Sequence, residues 1–223
     1  MIDLETRPEA PDEIDDVDEV VSDETLRRIL TGMLVTLSVV AVAVVFIAGA
    51  RWATTDTAPE PFGTADIGFL QDMIDHHQQA LLLANTYLDA NPDGDAAAYA
   101  RDVLISQEWE IARMDEWLTQ AGSSRGAAGR TAMTWMGMPT PVDQMPGMQP
   151  DDRIAELAAA RGADADRLFF AIMSDHHLGG VHMADAVTTE GRRSDLREFA
   201  TKMSRNQRVE VVEYRQAVER LGL

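Results

Sequence analysis

The sequence predicts an all-α protein in which one transmembrane helix precedes an antiparallel four-helix bundle made of two repeated helical hairpins. Three observations predict this fold. An apolar run without charges covers residues 29–50. The remainder holds four long stretches with apolar residues at helical spacing and no strand signal. The stretch DMIDHHQQA at 72–80 returns one hundred positions later as IMSDHHLGG at 172–180, in a chain with five histidines.

The composition limits the classes of function. A chain of 223 residues is long enough for one domain with additional segments. It contains no cysteine, so disulfides and thiolate metal ligands are excluded. The formal charge of −19 argues against a nucleic-acid surface, which needs clustered lysine and arginine.

The chain begins with an acidic segment. Residues 1–28 combine many carboxylates with little apolar periodicity, which is typical of a disordered tail. We expect this tail to be cytoplasmic.

The apolar run from Ile29 to Ala50 follows. As a helix it would be about 33 Å long, enough to cross the hydrocarbon core of a membrane. Arg27 and Arg28 precede it, whereas Arg51 is the basic residue close behind it, so the positive-inside rule favours a cytoplasmic N-terminus. A cleaved signal peptide is the alternative, but the long acidic lead-in and the length of the run favour an anchor. Both interpretations place the rest of the chain outside the cytoplasm.

A linker at 51–64 leads to the predicted bundle at 65–221. Hairpin one, 65–121, has helices at 65–90 and 96–120 separated by NPDG. A methionine-rich loop covers 122–150. Hairpin two, 151–221, has a short helix at 151–162 ending at Gly162, then helices at 164–189 and 194–221, with Ser194 as N-cap.

The two hairpins repeat each other at an offset of one hundred residues. The match needs no gap and extends over both helices of each hairpin, which predicts a pseudo-twofold bundle. The matching positions are Phe69, Met73, Asp75, His76, His77, Ala84, Gln107, Glu110 and Ile111 with Phe169, Met173, Asp175, His176, His177, Ala184, Gln207, Glu210 and Val211.

A helical projection predicts where these side chains point. Met73, His76 and His77 share one face, and Met173, His176 and His177 repeat that face with Met183 beside it. Asp75, Asp175 and His182 fall on outer faces. The second and fourth helices direct polar residues inward, where they could hold the metal-binding side chains in place. These are Gln107, Glu110, Gln207 and Glu210.

Two interpretations account for inward histidine and glutamate. They form either a hydrogen-bonded network that fixes helix register or a metal site. Imidazole and thioether without thiolate would suit copper, above all Cu(I). The loop adds further candidate ligands, which could equally cover the end of the bundle. These are Met133, Met136, Met138, Met145 and Met148.

The motifs FLQDMIDHHQQALLLA with SQEWEIARMDEWL, and DRLFFAIMSDHHLGGVHMA with NQRVEVVEY, resemble those of the ferritin-like family called domain of unknown function 305. The resemblance covers roughly residues 64–218. It implies an exported four-helix bundle, with copper binding and copper tolerance in some members. The implied metal ligands are Met73, His76, His77, Met173, His176, His177 and Met183.

We therefore expect a membrane-anchored, extracytoplasmic protein that binds copper for storage, buffering or delivery and catalyses no reaction. We expect the recipient to be a membrane cuproenzyme or another copper protein. The first alternative is a structural or interaction bundle without metal. A di-metal oxidoreductase is more distant, because the Glu-x-x-His spacing of di-iron centres does not occur on these helices.

Overall fold

A computed structural model describes residues 23–53, 59–127 and 129–223, with side chains up to residue 46 in the first range. The chain is mostly helical and forms two compact units, Met1–Ala58 and Pro59–Leu223, which are described separately. The α-helices in the described residues are α1 (Asp23–Ala53), α2 (Thr64–Ala90), α3 (Ala97–Gln120), α4 (Asp151–Ala159), α5 (Gly162–Glu190) and α6 (Ser194–Leu221).

Helix α1 accounts for the described part of the first unit. It begins six residues before the predicted start at 29, so 23–28 are helical and not part of a disordered tail. The rest of the predicted tail, 1–22, lies outside the described residues. Asp23–Phe46 is long and apolar enough to cross a membrane, a test that an N-terminal signal sequence also passes. Its hydroxyl groups suit an apolar surrounding, since Thr31, Thr36 and Ser38 each donate to the carbonyl four residues earlier.

The four long helices of the second unit match their predicted bounds within two residues, whereas the short helix predicted at 151–162 ends three residues earlier. Helices α2 and α3 pack together, as do α5 and α6. Gly162 does not simply end the short helix. Helix α4 stops at Ala159, and Gly162, with a positive φ of 58°, is the first residue of α5. Ser194 is the first helical residue of α6, and the cap position belongs to Arg193.

The two hairpins meet mainly through α2 and α5, which run antiparallel. Asp66 at the start of α2 contacts the turn after α5, whereas Tyr87 near the end of α2 reaches Asp166 near the start of α5. Helices α3 and α6 contribute edge-to-face aromatic contacts, including Trp117 with Phe199.

Asp66 and Asp166 occupy equivalent repeat positions, and each completes the turn of the other hairpin. Asp66 accepts hydrogen bonds from the backbone N–H groups of Arg192 (2.9 Å) and Arg193, the N-cap of α6. Asp166 accepts from the N–H of Ala96, the N-cap of α3, at 3.1 Å. Both carboxylates are buried and use donors that the helix starts leave free. This reciprocal capping follows the twofold relation that the repeat predicts.

The segment between the hairpins contains local structure that the sequence pattern did not predict. Two-residue strands β1 (Thr131–Ala132) and β2 (Thr140–Pro141) pair antiparallel, and 3₁₀ turns cover Thr134–Met136 and Val142–Gln144.

Asp72 of α2 anchors this segment. Its buried carboxylate pairs with Arg130 and accepts hydrogen bonds from the Met133 N–H and the Trp135 indole N–H, each at 2.8 Å. Met133 has a positive φ of 57°, a strained conformation for methionine that these contacts hold in place.

Candidate metal centre

A layer of polar side chains crosses the apolar core at the middle of the four long helices. On one side lies a cluster that includes Phe69, Ile74 and Trp117, and on the other a cluster that includes Tyr87 and Phe170. We call the polar side chains between these clusters the histidine layer. Its members are His76, His77, Gln107, Glu110, His176, His177, Gln207 and Glu210.

The four layer histidines are at most 1 % exposed, as their inward helix faces predict. Burial, which withdraws the charged imidazolium from water, lowers the pKa of His76 to about 3, and the neighbouring His77 adds to this shift. Burial also lowers the pKa of His176 well below its usual range, with His76 contributing. At neutral pH both imidazoles are therefore uncharged and keep a lone pair that can bind a metal ion.

Within each hairpin one histidine is tied to a glutamate on the next helix. His77 Nε2 lies 2.7 Å from Glu110 Oε2, and His177 Nε2 lies 2.6 Å from Glu210 Oε2. The Tyr214 hydroxyl is 3.4 Å from the same nitrogen of His177. The repeat predicted these equivalent positions, and the contacts give both halves the same polar link between helices.

The other two histidines meet across the α2–α5 interface. The ring centroids of His76 and His176 are 3.8 Å apart, with the rings tilted by 36°. His76 Nε2 donates to the carbonyl oxygen of Pro146 at 3.1 Å. Among the described residues, neither ring nitrogen of His176 has a hydrogen-bond partner.

Residues 145–149, here called the strap, lie against α2 and α5 beside this histidine pair. Gln79 fixes the strap with two hydrogen bonds to the backbone of Gln149, of 2.7 and 2.9 Å. On the α5 side the strap backbone approaches Gly179 so closely that a Cβ there would overlap the carbonyl of Pro146. Gly147 has a positive φ of 84°, and a Cβ on it would lie 2.7 Å from the His176 carbonyl oxygen. Glycine at both positions therefore permits the contact between backbones.

The predicted thioether ligands are buried in the core. Met73 and Met183 belong to the apolar cluster that contains Phe69, whereas Met173 belongs to the cluster on the other side of the histidine layer. The two clusters thus supply thioethers from both sides of the layer.

The loop methionines are divided between core and surface. Met133 and Met145 are buried in the first cluster, and Met136 and Met148 pack against it. Met138 is about half exposed. Four of the five thus cover the core, as the alternative to a copper-collecting loop predicts.

The layer contains buried nitrogen and oxygen atoms that lack hydrogen-bond partners within the described residues. These atoms are His76 Nδ1, His77 Nδ1, Gln107 Oε1, His176 Nδ1 and Nε2, His177 Nδ1 and Gln207 Oε1. Buried polar atoms of this kind call for an ion, water or another polar partner. Imidazole nitrogens beside thioethers form a donor set that suits a soft cation.

The histidine layer does not provide enough nitrogen and carboxylate ligands at one point to hold a metal ion without other donors. Among residues 23–53, 59–127 and 129–223, no three histidine, aspartate or glutamate side chains converge to hold one metal ion.

Sequence reasoning missed three residues that shape this region, namely Asp72, Pro146 and Gly179. Each acts through a partner distant in sequence, so helical periodicity carries no signal for it. The Gly179–Gly180 pair inside a helical pattern is the one sequence signal of close backbone approach.

Comparisons with known proteins identify the family of the chain. The family model of domain of unknown function 305 (DUF305) matches residues 66–218. The chain belongs to the DUF305 family. No curated protein matches the chain significantly.

Several solved structures are similar to most of the chain. A DUF305 protein of Streptomyces coelicolor, described as a predicted secreted protein, is 30% identical with a TM-score of 0.65, covering 71% of this chain and 94% of its own. A DUF305 fragment of Deinococcus radiodurans is 25% identical with a TM-score of 0.61, covering 72% and 99%. The Cu(I)-bound form of CopM is 26% identical with a TM-score of 0.51, covering 70% and 96%.

Proposed function

We propose that this DUF305 protein is a membrane-anchored, extracytoplasmic copper-binding protein that stores, buffers or delivers Cu(I). The observation that carries the proposal is the buried histidine layer, which lies between methionine-containing clusters and whose Nδ1 atoms have no hydrogen-bond partner within the described residues. The similarity to CopM, which has been solved in Cu(I)-bound, Cu(II)-bound and Ag-bound forms, supports the choice of copper. Bound Cu(I) would supply a soft cation that satisfies these donors.

In this proposal the four long helices form one ferritin-like antiparallel four-helix bundle. Support comes from α2–α5 packing, from the aromatic contacts between α3 and α6, and from the reciprocal caps. The ligands would be Met73, His76, His77, Met173, His176, His177 and Met183.

We also propose that α1 is an uncleaved anchor with a cytoplasmic N-terminus, so that the bundle faces outward. Its length and apolar composition support this placement. A membrane cuproenzyme is the proposed recipient, because an anchored donor stays in the plane of the membrane. Protease added to intact cells should remove the bundle and leave a fragment that contains α1, and protection of the bundle would contradict this orientation.

The copper proposal is tested on the purified full-length protein in detergent. The protein is loaded anaerobically with Cu(I), and bound copper is measured by competition with a chromophoric chelator. Replacement of His76, His77, His176 and His177 by Ala should abolish tight binding, whereas His182→Ala on the exposed face should leave it unchanged. Equal copper in all three proteins, or none in the wild type, would contradict the proposal.

Because four buried alanines could destabilise the fold, a second variant keeps the apolar packing. Met73, Met173 and Met183 are replaced together by Leu, a change close to conserving volume. Copper binding should fall sharply while the helical circular dichroism signal is retained.

A structural role for the layer is the second candidate, since the His77–Glu110 and His177–Glu210 contacts also join neighbouring helices. Under this candidate the histidine variant melts far lower and the wild type binds no copper. We propose no catalytic activity. Oxygen consumption by the metal-loaded protein with a reductant would contradict that part of the proposal.

A further inference from the structure

Three histidines of the layer face oxygen atoms that accept hydrogen bonds. His76 Nε2 faces the Pro146 carbonyl at 3.1 Å, and a carbonyl has no proton to donate. His77 Nε2 faces the carboxylate of Glu110 at 2.7 Å. His177 Nε2 lies 2.6 Å from the carboxylate of Glu210 and 3.4 Å from the Tyr214 hydroxyl, which can accept as well as donate a hydrogen bond. These contacts are satisfied when Nε2 carries the ring proton, which leaves the lone pair on Nδ1.

We propose that Pro146, Glu110 and Glu210 are positioning residues that select Nδ1 as the metal-binding atom. Each holds one histidine, His76, His77 or His177, as the Nε2–H tautomer. The inference rests on the proposed copper function and adds to it which nitrogen of each ring would bind a metal ion and which residues fix that choice.

The unpartnered atoms support this choice independently of the acceptors. All four layer histidines have a buried Nδ1 without a partner among the described residues. In the three rings with an acceptor, the nitrogen that has no partner is therefore the one expected to hold the lone pair. The acceptors lie on three elements, the strap, α3 and α6, so the common outcome does not arise from one local turn.

His176 differs from the other three, because neither ring nitrogen has a hydrogen bond of normal geometry within the described residues and its ring lies against His76. The backbone of His76 interacts with the His176 ring, but this weak contact does not fix the tautomer as a carboxylate would. His176 can therefore turn either nitrogen toward an ion, whereas the other three rings are set in advance.

Hydrogen-bond acceptors that hold the histidine rings affect metal affinity as well as ring orientation. A carboxylate that accepts from the distal N–H of a ligand imidazole increases the basicity of the ligating nitrogen. Loss of such a partner typically lowers metal affinity about 10- to 100-fold. Glu110 and Glu210 are expected to have effects in this range.

The test uses full-length protein in detergent with ¹⁵N-labelled histidine rings, of which the chain has five. Long-range ¹H–¹⁵N correlation of the metal-free protein reports which nitrogen carries the proton. We expect Nε2–H tautomers for His76, His77 and His177. The exposed His182 serves as the internal reference.

Silver(I) then serves as a diamagnetic probe for Cu(I). Its addition should shift the Nδ1 resonances of the same three rings while their Nε2–H signals persist. A silver-induced shift at Nε2, or Nδ1–H tautomers before metal is added, would overturn the assignment. Correct tautomers with no silver-induced change would instead overturn the proposed copper function and, with it, the role of Nδ1.

Variants at Glu110 separate positioning from folding. Glu110→Ala removes the acceptor and should mix the tautomers of His77 and weaken silver binding about 10- to 100-fold. Glu110→Gln retains an acceptor oxygen and should restore the tautomer and most of the affinity. Glu108→Ala, at an exposed position of the same helix, is the control. Equal tautomer populations in all these variants would contradict a positioning role for Glu110.

Discussion

Hairpin one, α2 with α3, and hairpin two, α5 with α6, present the same polar side chains to the histidine layer but differ in what covers them. Each contributes two buried histidines, a glutamine and a glutamate that contacts a histidine. In hairpin one, Asp72 and Gln79 bind the segment between the hairpins. At the equivalent positions hairpin two has Ile172 and Gly179, and the strap rests on bare α5 backbone.

Other differences concern single positions. Leu83 of hairpin one corresponds to Met183, and Met114 corresponds to Tyr214, which reaches toward His177. The histidine layer is therefore the part that both hairpins retain. The positions around it differ according to which segment packs against each hairpin.

The largest difference between the hairpins is expected at Asp72. Asp72→Ala leaves Arg130 and two further donors without their buried acceptor, and breaking a buried pair in this way costs about 3–5 kcal/mol of unfolding free energy. The control is Asp75→Ala, which removes the more exposed partner of Arg130 and should cost less than about 1 kcal/mol. Urea unfolding followed by circular dichroism measures both. Equal losses would show that Asp72 does not anchor the segment.

A smaller effect is expected where the strap crosses hairpin two. Gly179→Ala places a methyl group against strap backbone, and overpacking of this kind costs about 1–3 kcal/mol. The neighbouring Gly180→Ala meets the flexible end of Gln207 and reproduces Ala80 of hairpin one, so it should be neutral or stabilising. Thermal unfolding of the two variants gives the comparison. A destabilised Gly180→Ala beside an unaffected Gly179→Ala would be the contrary result.

The hairpins should also differ in their contribution to copper affinity. Met183→Leu makes hairpin two resemble hairpin one and removes a proposed thioether, so Cu(I) affinity should fall about tenfold or more, as for other changes at metal sites. Stability should change by less than about 1.5 kcal/mol, since Met and Leu are similar in volume. Leu83→Met is the reciprocal variant and should not weaken binding. Chelator competition measures affinity, and an unchanged value in Met183→Leu would remove this residue from the ligand set.

The smallest effect is expected at Asp185, whose ion pair with Arg208 exists in hairpin two while hairpin one has Asn85 and Glu108 at these positions. The hydrogen bond from Arg208 lowers the pKa of Asp185 below 3.8. Such a carboxylate stabilises the fold above its ordinary pKa, and the contribution is lost as the pH falls through the folded-state value. Asp185→Asn should therefore cost less than about 1 kcal/mol at pH 7, because the pair is on the surface, and still less at pH 3. Unfolding at both pH values tests this, and a larger loss at pH 3 would contradict it.

Much of the fold was predictable because it depends on local periodicity and on a repeat. The bounds of the long helices and the inward faces of His76, His77, His176 and His177 follow from the spacing of apolar residues. The DUF305 membership was likewise predicted from the repeated motifs, and the family match confirms it.

The remaining features depend on contacts between distant residues. Asp72 is one of several polar residues on the face of α2 that the segment covers, and its partner Arg130 lies in a segment without periodicity. The strap reaches His76 because Gly147 and Gly179 lack side chains. The need for glycine at these positions is seen only in the contact between the strap backbone and the α5 backbone. The sequence around Asp66 and Asp166 likewise does not indicate that each caps N–H groups of the other hairpin.

Through reciprocal capping by Asp66 and Asp166, each hairpin takes a hydrogen-bond acceptor for its own turn from the other hairpin. A single hairpin made as a separate peptide would lack the acceptor for its own turn, since that acceptor begins the first long helix of the other half. Two identical hairpins could provide these acceptors for each other as a symmetric homodimer. The present chain has the arrangement expected when the two subunits of such a dimer become one polypeptide, after which each half can diverge without losing its partner.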